Sequence, residues 1–250
     1  MDATDEGLVA PHTVRRTPTF RQDLAERIDH TLLHPEARQS DVQSLCREAL
    51  EYGFATVCVS SAHVPFCAQQ LEGSTVGLTA VVGFPLGTAS VQAKAFEAAE
   101  AIEQGATEVD MVLGRGPLCD RDFAYVYRDV EAVVQASRGH TVKVILETGA
   151  LQGDQLVIAC ALSKAAGAEF VKTSTGFGGS VGATLDAVAA MRRAVGDEMG
   201  IKASGGIRDA AQADAMVHAG ATRLGTSASV AIVLGTCELE ERLTDDRCKR

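Results

Sequence analysis

The chain has 250 residues, 46% of them hydrophobic, enough for one large core and well suited to a single α/β barrel. Its formal charge of −10 argues against nucleic-acid binding while leaving room for a local basic pocket around a small anion. No apolar run reaches the roughly 18 residues of a membrane span, so none is expected.

In chain order, residues 1–20 carry two prolines and little periodicity, and read as a disordered or loosely packed extension. The start, Met1-Asp2-Ala3-Thr4-Asp5-Glu6, lacks the basic and apolar stretches of a secretory signal. Residues 21–243 read as one domain and 244–250 as a polar tail. Within the domain, strands are predicted near 28–32, 55–59, 77–83, 107–113, 141–147, 168–173, 200–204 and 222–226, with helices in most gaps. The clearest helix covers 90–104. Val91, Ala95, Ala98, Ala99 and Ile102 form its apolar face, Ser90 can cap its start and Gly105 its end. Eight strands alternating with helices predict a parallel sheet closed into a (β/α)8 TIM barrel. Seven scattered cysteines without a C-x-x-C pair fit reduced thiols in the cytoplasm. Six histidines show no metal-ligand spacing, so no metal is expected.

A repeat sets the expected register. Gly53, Gly105, Gly167 and Gly220 each end a helix just before an even-numbered strand. Five residues further on lie Cys58, Asp110, Lys172 and Gly225. Even strands of a barrel share interior layers, so Cys58, Asp110 and Lys172 are expected to face one another inside.

The chemistry-bearing residues then follow. In Ile28-Asp29-His30-Thr31, Asp29 and Thr31 share a face and can orient a hydroxyl or water; a turn or helix start is an equal alternative. Cys58 reads as a small buried wall of the pocket rather than a nucleophile. Asp110 is an acid inside an apolar strand, either a structural ion-pair partner or, with several lysines at comparable positions, a proton relay. Lys143 and Glu147 are expected on one strand face, Lys143 in a supporting electrostatic role. Lys172 ends a strand and opens the run Thr173-Ser174-Thr175-Gly176-Phe177-Gly178-Gly179, in which Thr175-Gly176-Phe177-Gly178-Gly179 is a further wall for a phosphate site. Lys202 sits in a similar setting before Ser204-Gly205-Gly206; its bland alternative is a salt bridge to Asp110 or Glu147. A free lysine, with a pKa of about 10.4, is neutral in only about one molecule in two thousand at pH 7. A neighbouring cation and partial burial raise that fraction steeply, and a neutral amine attacks carbonyls. Residues alone leave open which lysine is the nucleophile. Glycine and hydroxyl clusters at Ser204–Gly206 and Gly225–Ser229 follow the last two strands, the usual phosphate cradle of such barrels.

Eight stretches together resemble one family. They are Ile28-Asp-His-Thr-Leu-Leu33, Thr56-Val-Cys-Val59, Val82-Gly-Phe-Pro-Leu-Gly87, Glu108-Val-Asp-Met-Val112, Val142-Lys-Val-Ile-Leu-Glu-Thr148, Phe170-Val-Lys-Thr-Ser-Thr-Gly-Phe177, Ile201-Lys-Ala-Ser-Gly-Gly-Ile-Arg208 and Arg223-Leu-Gly-Thr-Ser227. In this the chain resembles class I deoxyribose-phosphate aldolases. The resemblance implies a barrel that reversibly cleaves 2-deoxy-D-ribose 5-phosphate to D-glyceraldehyde 3-phosphate and acetaldehyde, with no metal or organic cofactor. It implies Lys172 as the Schiff-base lysine, Lys202 as the lysine that lowers its pKa, and Asp110 as the acid that shuttles protons with Lys202 through a water. It implies Gly176, Gly205, Gly206 and Ser227 at the phosphate, and Asp29, Thr31 and Cys58 lining the pocket; Lys143 and Thr175 complete the expected substrate site. Two departures stand out. No tyrosine lies near the C-terminus, where some members carry one, and Ser227 is followed by Ala228 rather than a second serine. Other Schiff-base aldolases or transaldolases, and a non-catalytic sugar-phosphate-binding barrel, are the alternatives. Nucleic-acid and membrane partners are not expected; a homodimer suits such a barrel, though no interface is legible.

Overall fold

The computed structural model describes residues 20–179 and 181–235. The expected tail at 244–250 and all of the expected extension except Phe20 lie outside the described residues. Eight parallel strands close into a barrel: β1 (Ile28–Leu32), β2 (Thr56–Ser60), β3 (Gly77–Val82), β4 (Glu108–Val112), β5 (Thr141–Ile145), β6 (Phe170–Lys172), β7 (Gly200–Ser204) and β8 (Arg223–Thr226), each pairing with the next and β8 with β1. All eight fall inside or within a residue of their predicted ranges. Ten helices are described: α1 (Gln22–Ala25), α2 (Gln39–Tyr52), α3 (Val64–Gln70), α4 (Val91–Glu103), α5 (Arg115–Cys119), α6 (Phe123–Ala136), α7 (Gln155–Ala165), α8 (Leu185–Val195), α9 (Ala210–His218) and α10 (Ser229–Leu234). Among the described residues no helix is long and apolar enough to cross a membrane.

Strand alternation divides the molecule chemically. Val57, Val59, Ala80, Val82, Val109, Met111, Val142, Val144, Val171, Ile201 and Leu224 belong to the continuous apolar core. Their neighbours point the other way, into the barrel, as the period of two requires. Such interiors are usually filled by branched apolar side chains. Here buried Asp29, Thr56, Thr79, Asp110, Lys143, Lys172 and Lys202 fill most of it. The four glycines of the repeat have φ of 68°, 111°, 92° and 117°, the left-handed backbone that stops a helix.

Helix α4 corrects one expectation. Ser90 does cap it, accepting from the Ala93 N–H at 3.3 Å. Its fully buried positions, however, are Lys94, Ala98 and Ala101 rather than a stripe beginning at Val91. The face is rotated because the Lys94 ammonium donates to Asp129 Oδ2 (2.6 Å) and the Val112 carbonyl (2.9 Å). A buried cation is tolerated once it is paired, so a lysine occupies a core position of the helix. At the chain entry, Phe20 stacks on Tyr52, and Arg21 bridges Asp23 and Asp214, tying α1 to α9.

Candidate active site

The barrel floor is one buried ionic network. Asp110 on β4 accepts from three lysines on three other strands: Lys143 at Oδ1 (2.8 Å), and Lys172 (2.6 Å) and Lys202 (2.7 Å), both at Oδ2. Asp110 therefore faces inward, and Cys58, buried beside these charges, shares its layer. Register brings the groups together, since Asp110 lies opposite Lys143 and Lys172 opposite Lys202. Asp29 pairs with Lys202, and with Lys143 at 3.6 Å. Arg223 reaches Asp29 Oδ1 (2.6 Å) and Glu108 (3.1 Å), and Glu108 also pairs with Lys143.

Charge balance singles out one lysine. Four cationic side chains, Lys143, Lys172, Lys202 and Arg223, face three carboxylates, Asp29, Glu108 and Asp110. Uncompensated charge in a low-dielectric interior is costly, so the network favours losing one proton. Lys143 touches three carboxylates and Lys202 two, whereas Lys172 touches Asp110 alone. The pKa directions agree. Burial pushes the Lys172 amine below its ordinary value, Asp110 opposes this and Lys202 reinforces it. Burial also acts to lower Lys202 and Lys143, but the carboxylates around them outweigh it and raise both. Burial acts to raise Asp110 and Asp29; their lysine neighbours win and hold both carboxyls below the usual range. The network thus holds two firm ammonium groups and one labile amine.

Above this floor opens a cavity of about 470 Å³ whose walls include Thr31, Lys172, Thr175, Gly176, Gly205, Gly206 and Ser227. The four residues that the resemblance places at the phosphate line it, as do two of the five expected at the substrate, whereas Gly178 and Gly179 of the expected further wall do not. Asp29, Cys58, Lys143 and Lys202, with Asp110, are fully buried and lie outside its lining. The Thr31 hydroxyl donates to the Asp29 carbonyl at 2.8 Å. Arg208, which the sequence did not single out, adds a cation to the wall. The loops on either side are cross-tied: Thr173 Oγ1 donates to the Ser204 carbonyl (3.1 Å) and Ser204 Oγ to the Ser174 carbonyl (2.6 Å).

Two expectations change. Lys143 and Glu147 do not share a strand face, because β5 stops at Ile145 and Glu147 takes a left-handed backbone with φ 57°. Its carboxylate instead accepts from the Thr175 hydroxyl (2.5 Å) and N–H (3.2 Å), fixing the loop after Lys172. Ser229, expected beside the phosphate cluster, is wholly buried and turned onto His30. Arg223 and Glu108 were missed as parts of the network. Their signal was parity, since each lies two residues before an inward position of its own strand.

Gly225 has a packing reason. A Cβ built there would lie 2.9 Å from Lys202 Cε and 3.0 Å from Ser204 Cβ. Gly225→Ala is expected to displace the buried Lys202 chain and cost about 1–3 kcal/mol, the usual penalty for overpacking. Urea denaturation measures the loss, and activity should fall with it; a variant as stable and active as the parent would show that Lys202 has room to spare.

Residues 24–234 match the family described as DeoC/LacD family aldolase. A deoxyribose-phosphate aldolase of Bdellovibrio bacteriovorus is 53% identical over 212 residues, covering 85% of this chain and 96% of the relative. One from Methanothermobacter thermautotrophicus is 51% identical over 222 residues, covering 89% of this chain and 99% of the relative. The tetrameric deoxyribose phosphate aldolase of Aeropyrum pernix superposes with a TM-score of 0.79 at 39% identity, covering 85% of this chain and 90% of that one. With a closed barrel, a lysine-lined cavity and a family match over most of its length, the chain belongs to the DeoC/LacD family of aldolases.

Proposed function

We propose that the protein is a class I aldolase that reversibly cleaves 2-deoxy-D-ribose 5-phosphate to D-glyceraldehyde 3-phosphate and acetaldehyde, with Lys172 as the Schiff-base nucleophile. One observation carries the assignment of Lys172: of the three lysines on Asp110, it alone lines the cavity. The substrate class is supported by the names of the relatives at about half identity over nearly their whole length.

The steps follow from the groups present. Neutral Lys172 adds to C1 of the open-chain sugar, and loss of water gives an iminium. This cation is an electron sink for breaking the C2–C3 bond. As the C3 hydroxyl loses its proton and C3 becomes the aldehyde of glyceraldehyde 3-phosphate, the bond's electron pair moves to C2. The resulting enamine takes a proton at C2, which becomes the methyl of acetaldehyde. Water then hydrolyses the iminium and frees Lys172. Converting the Lys172 amine to an iminium leaves one N–H on that nitrogen, one donor fewer beside Asp110 Oδ2. In this reading the vacated lone pair holds a water, and Asp110 with Lys202 passes the C3 and C2 protons through it. Lys143 and Asp29 keep that pair in place, and Cys58 is an inert wall. The chemistry needs no metal or organic cofactor.

Phosphate binding belongs to Gly176, Gly205, Gly206 and Ser227, whose small side chains let a phosphate approach the backbone. Remote binding energy at that end fixes the sugar over Lys172. Thr31 and Thr175 border the same space. A cytoplasmic location fits the free thiols at Cys46, Cys58, Cys67, Cys119 and Cys160. Self-association, at least to a homodimer, belongs to the reading, supported by the tetrameric Aeropyrum pernix relative.

Borohydride reduction in the presence of acetaldehyde tests the mechanism. The expected product is one ethyl adduct, mapped by peptide mass to Lys172. Absence of any lysine adduct on folded protein would overturn the Schiff-base reading.

A further inference from the structure

His30 sits outside the barrel on β1 and is almost wholly buried. Its Nδ1 lies 2.8 Å from Ser229 Oγ and its Nε2 2.9 Å from Glu48 Oε2 on α2. Serine, histidine and acid in a row suggest a nucleophile, but Ser229 has no exposed surface and lines no described cavity. The row leads elsewhere. Ser229 Oγ is 3.1 Å from the Thr226 carbonyl, Thr226 Oγ1 donates to the Ile207 carbonyl (2.7 Å), and the Ala228 N–H donates to Thr226 Oγ1 (3.0 Å). Ile207 follows Gly205-Gly206, and Thr226 and Ala228 flank Ser227. The row of polar contacts therefore runs from α2 to two of the three loops that carry the phosphate residues, those after β7 and β8.

We propose that His30 is a positioning residue for phosphate binding, acting through Ser229 and oriented by Glu48. The inference rests on the phosphate cradle proposed above. A carboxylate only accepts, so Glu48 keeps a proton on His30 Nε2. In the neutral ring Nδ1 is then an acceptor, and the single Ser229 hydroxyl hydrogen is held between it and the Thr226 carbonyl, 3.1 Å away on the other side. This holds the first residue of α10 against β1 and sets the path of residues 226–229. Ala228 offers no hydroxyl, so the cradle depends on where its backbone lies.

The test compares kcat and KM for 2-deoxyribose 5-phosphate and for unphosphorylated 2-deoxyribose, together with inhibition by inorganic phosphate. Ser229→Ala is a small change unlike His30→Leu, so the pair guards against misfolding of either. In both variants KM for the phosphorylated sugar and the inhibition constant for phosphate are expected to rise about fivefold or more, the equivalent of one lost hydrogen bond. Turnover of 2-deoxyribose should change less than about twofold, since no group near Lys172 is touched. Equal losses on both sugars, or unchanged constants in Ser229→Ala, would overturn the inference while leaving the cradle intact. A parent enzyme that neither prefers the phosphorylated sugar nor binds phosphate would overturn the cradle and the inference together.

Discussion

Lys172→Met is expected to abolish aldol cleavage while leaving the fold at least as stable as the parent's at pH 7. Removing a covalent nucleophile should lower kcat by more than about 10⁴-fold, the order found when such a group is deleted. The stability half follows from the charge balance. Without Lys172 the network holds Lys143, Lys202 and Arg223 against Asp29, Glu108 and Asp110, so no buried charge is left over. Methionine keeps most of the unbranched stem. Linkage gives the sign. A lysine whose amine is lowered in the fold takes up a proton on unfolding at any pH between its folded value and the ordinary one. Unfolding is therefore favoured across that window, and parent stability climbs as pH rises towards the ordinary lysine value. The methionine variant lacks this slope. Urea denaturation at neutral and alkaline pH, beside an activity assay, checks both halves. Lys172→Arg separates the two effects, because a permanent guanidinium restores the fourth cation and should destabilise. Measurable cleavage by the methionine variant would remove Lys172 from the chemistry.

The strands and the register of the even ones were legible because both depend on local signals. Each even strand follows a glycine that ends a helix, and alternation then decides which residues face inward. Cys58, Asp110 and Lys172 could be placed inside on that basis. What was not legible depends on distant partners. Arg223 is 194 residues from Asp29 and 115 from Glu108, so nothing in its own segment announces the pairs. Lys94 was not part of the apolar face expected for α4, and its burial depends on a counter-ion, Asp129, 35 residues on. Glu147 was misread because alternation was carried past the end of β5, where the backbone turns left-handed. Ser229 was grouped with Ser227 by proximity, but the start of α10 turns it onto His30. The errors share a cause: a polar side chain near the end of an element follows its hydrogen-bond partner, not the period of the element.

Lys202→Met tests the same balance from the other side. Its loss leaves Lys143, Lys172 and Arg223 against the same three carboxylates, so the network becomes neutral only when Lys172 is protonated. Asp110 Oδ2, which now divides its lone pairs between Lys172 and Lys202, would then serve Lys172 alone. Both effects raise the Lys172 amine, and the direct repulsion from Lys202 that helps lower it is gone. Attack needs the neutral amine, so kcat/KM rises with pH through the Lys172 value and levels off above it. In the variant this rising limb is expected to move to higher pH, with tenfold less neutral amine for each pKa unit. A loss of roughly 100-fold or more in kcat/KM near pH 7 should follow, shrinking as the pH is raised towards about 9. Part of the loss will remain at high pH, because the proton relay through Asp110 has lost a member. Burial of Asp29 with one cation fewer also costs stability, so the folded fraction is measured at each pH by circular dichroism. A loss independent of pH would mean that Lys202 serves only in the relay. A parent-like profile would mean that burial alone keeps the Lys172 amine available.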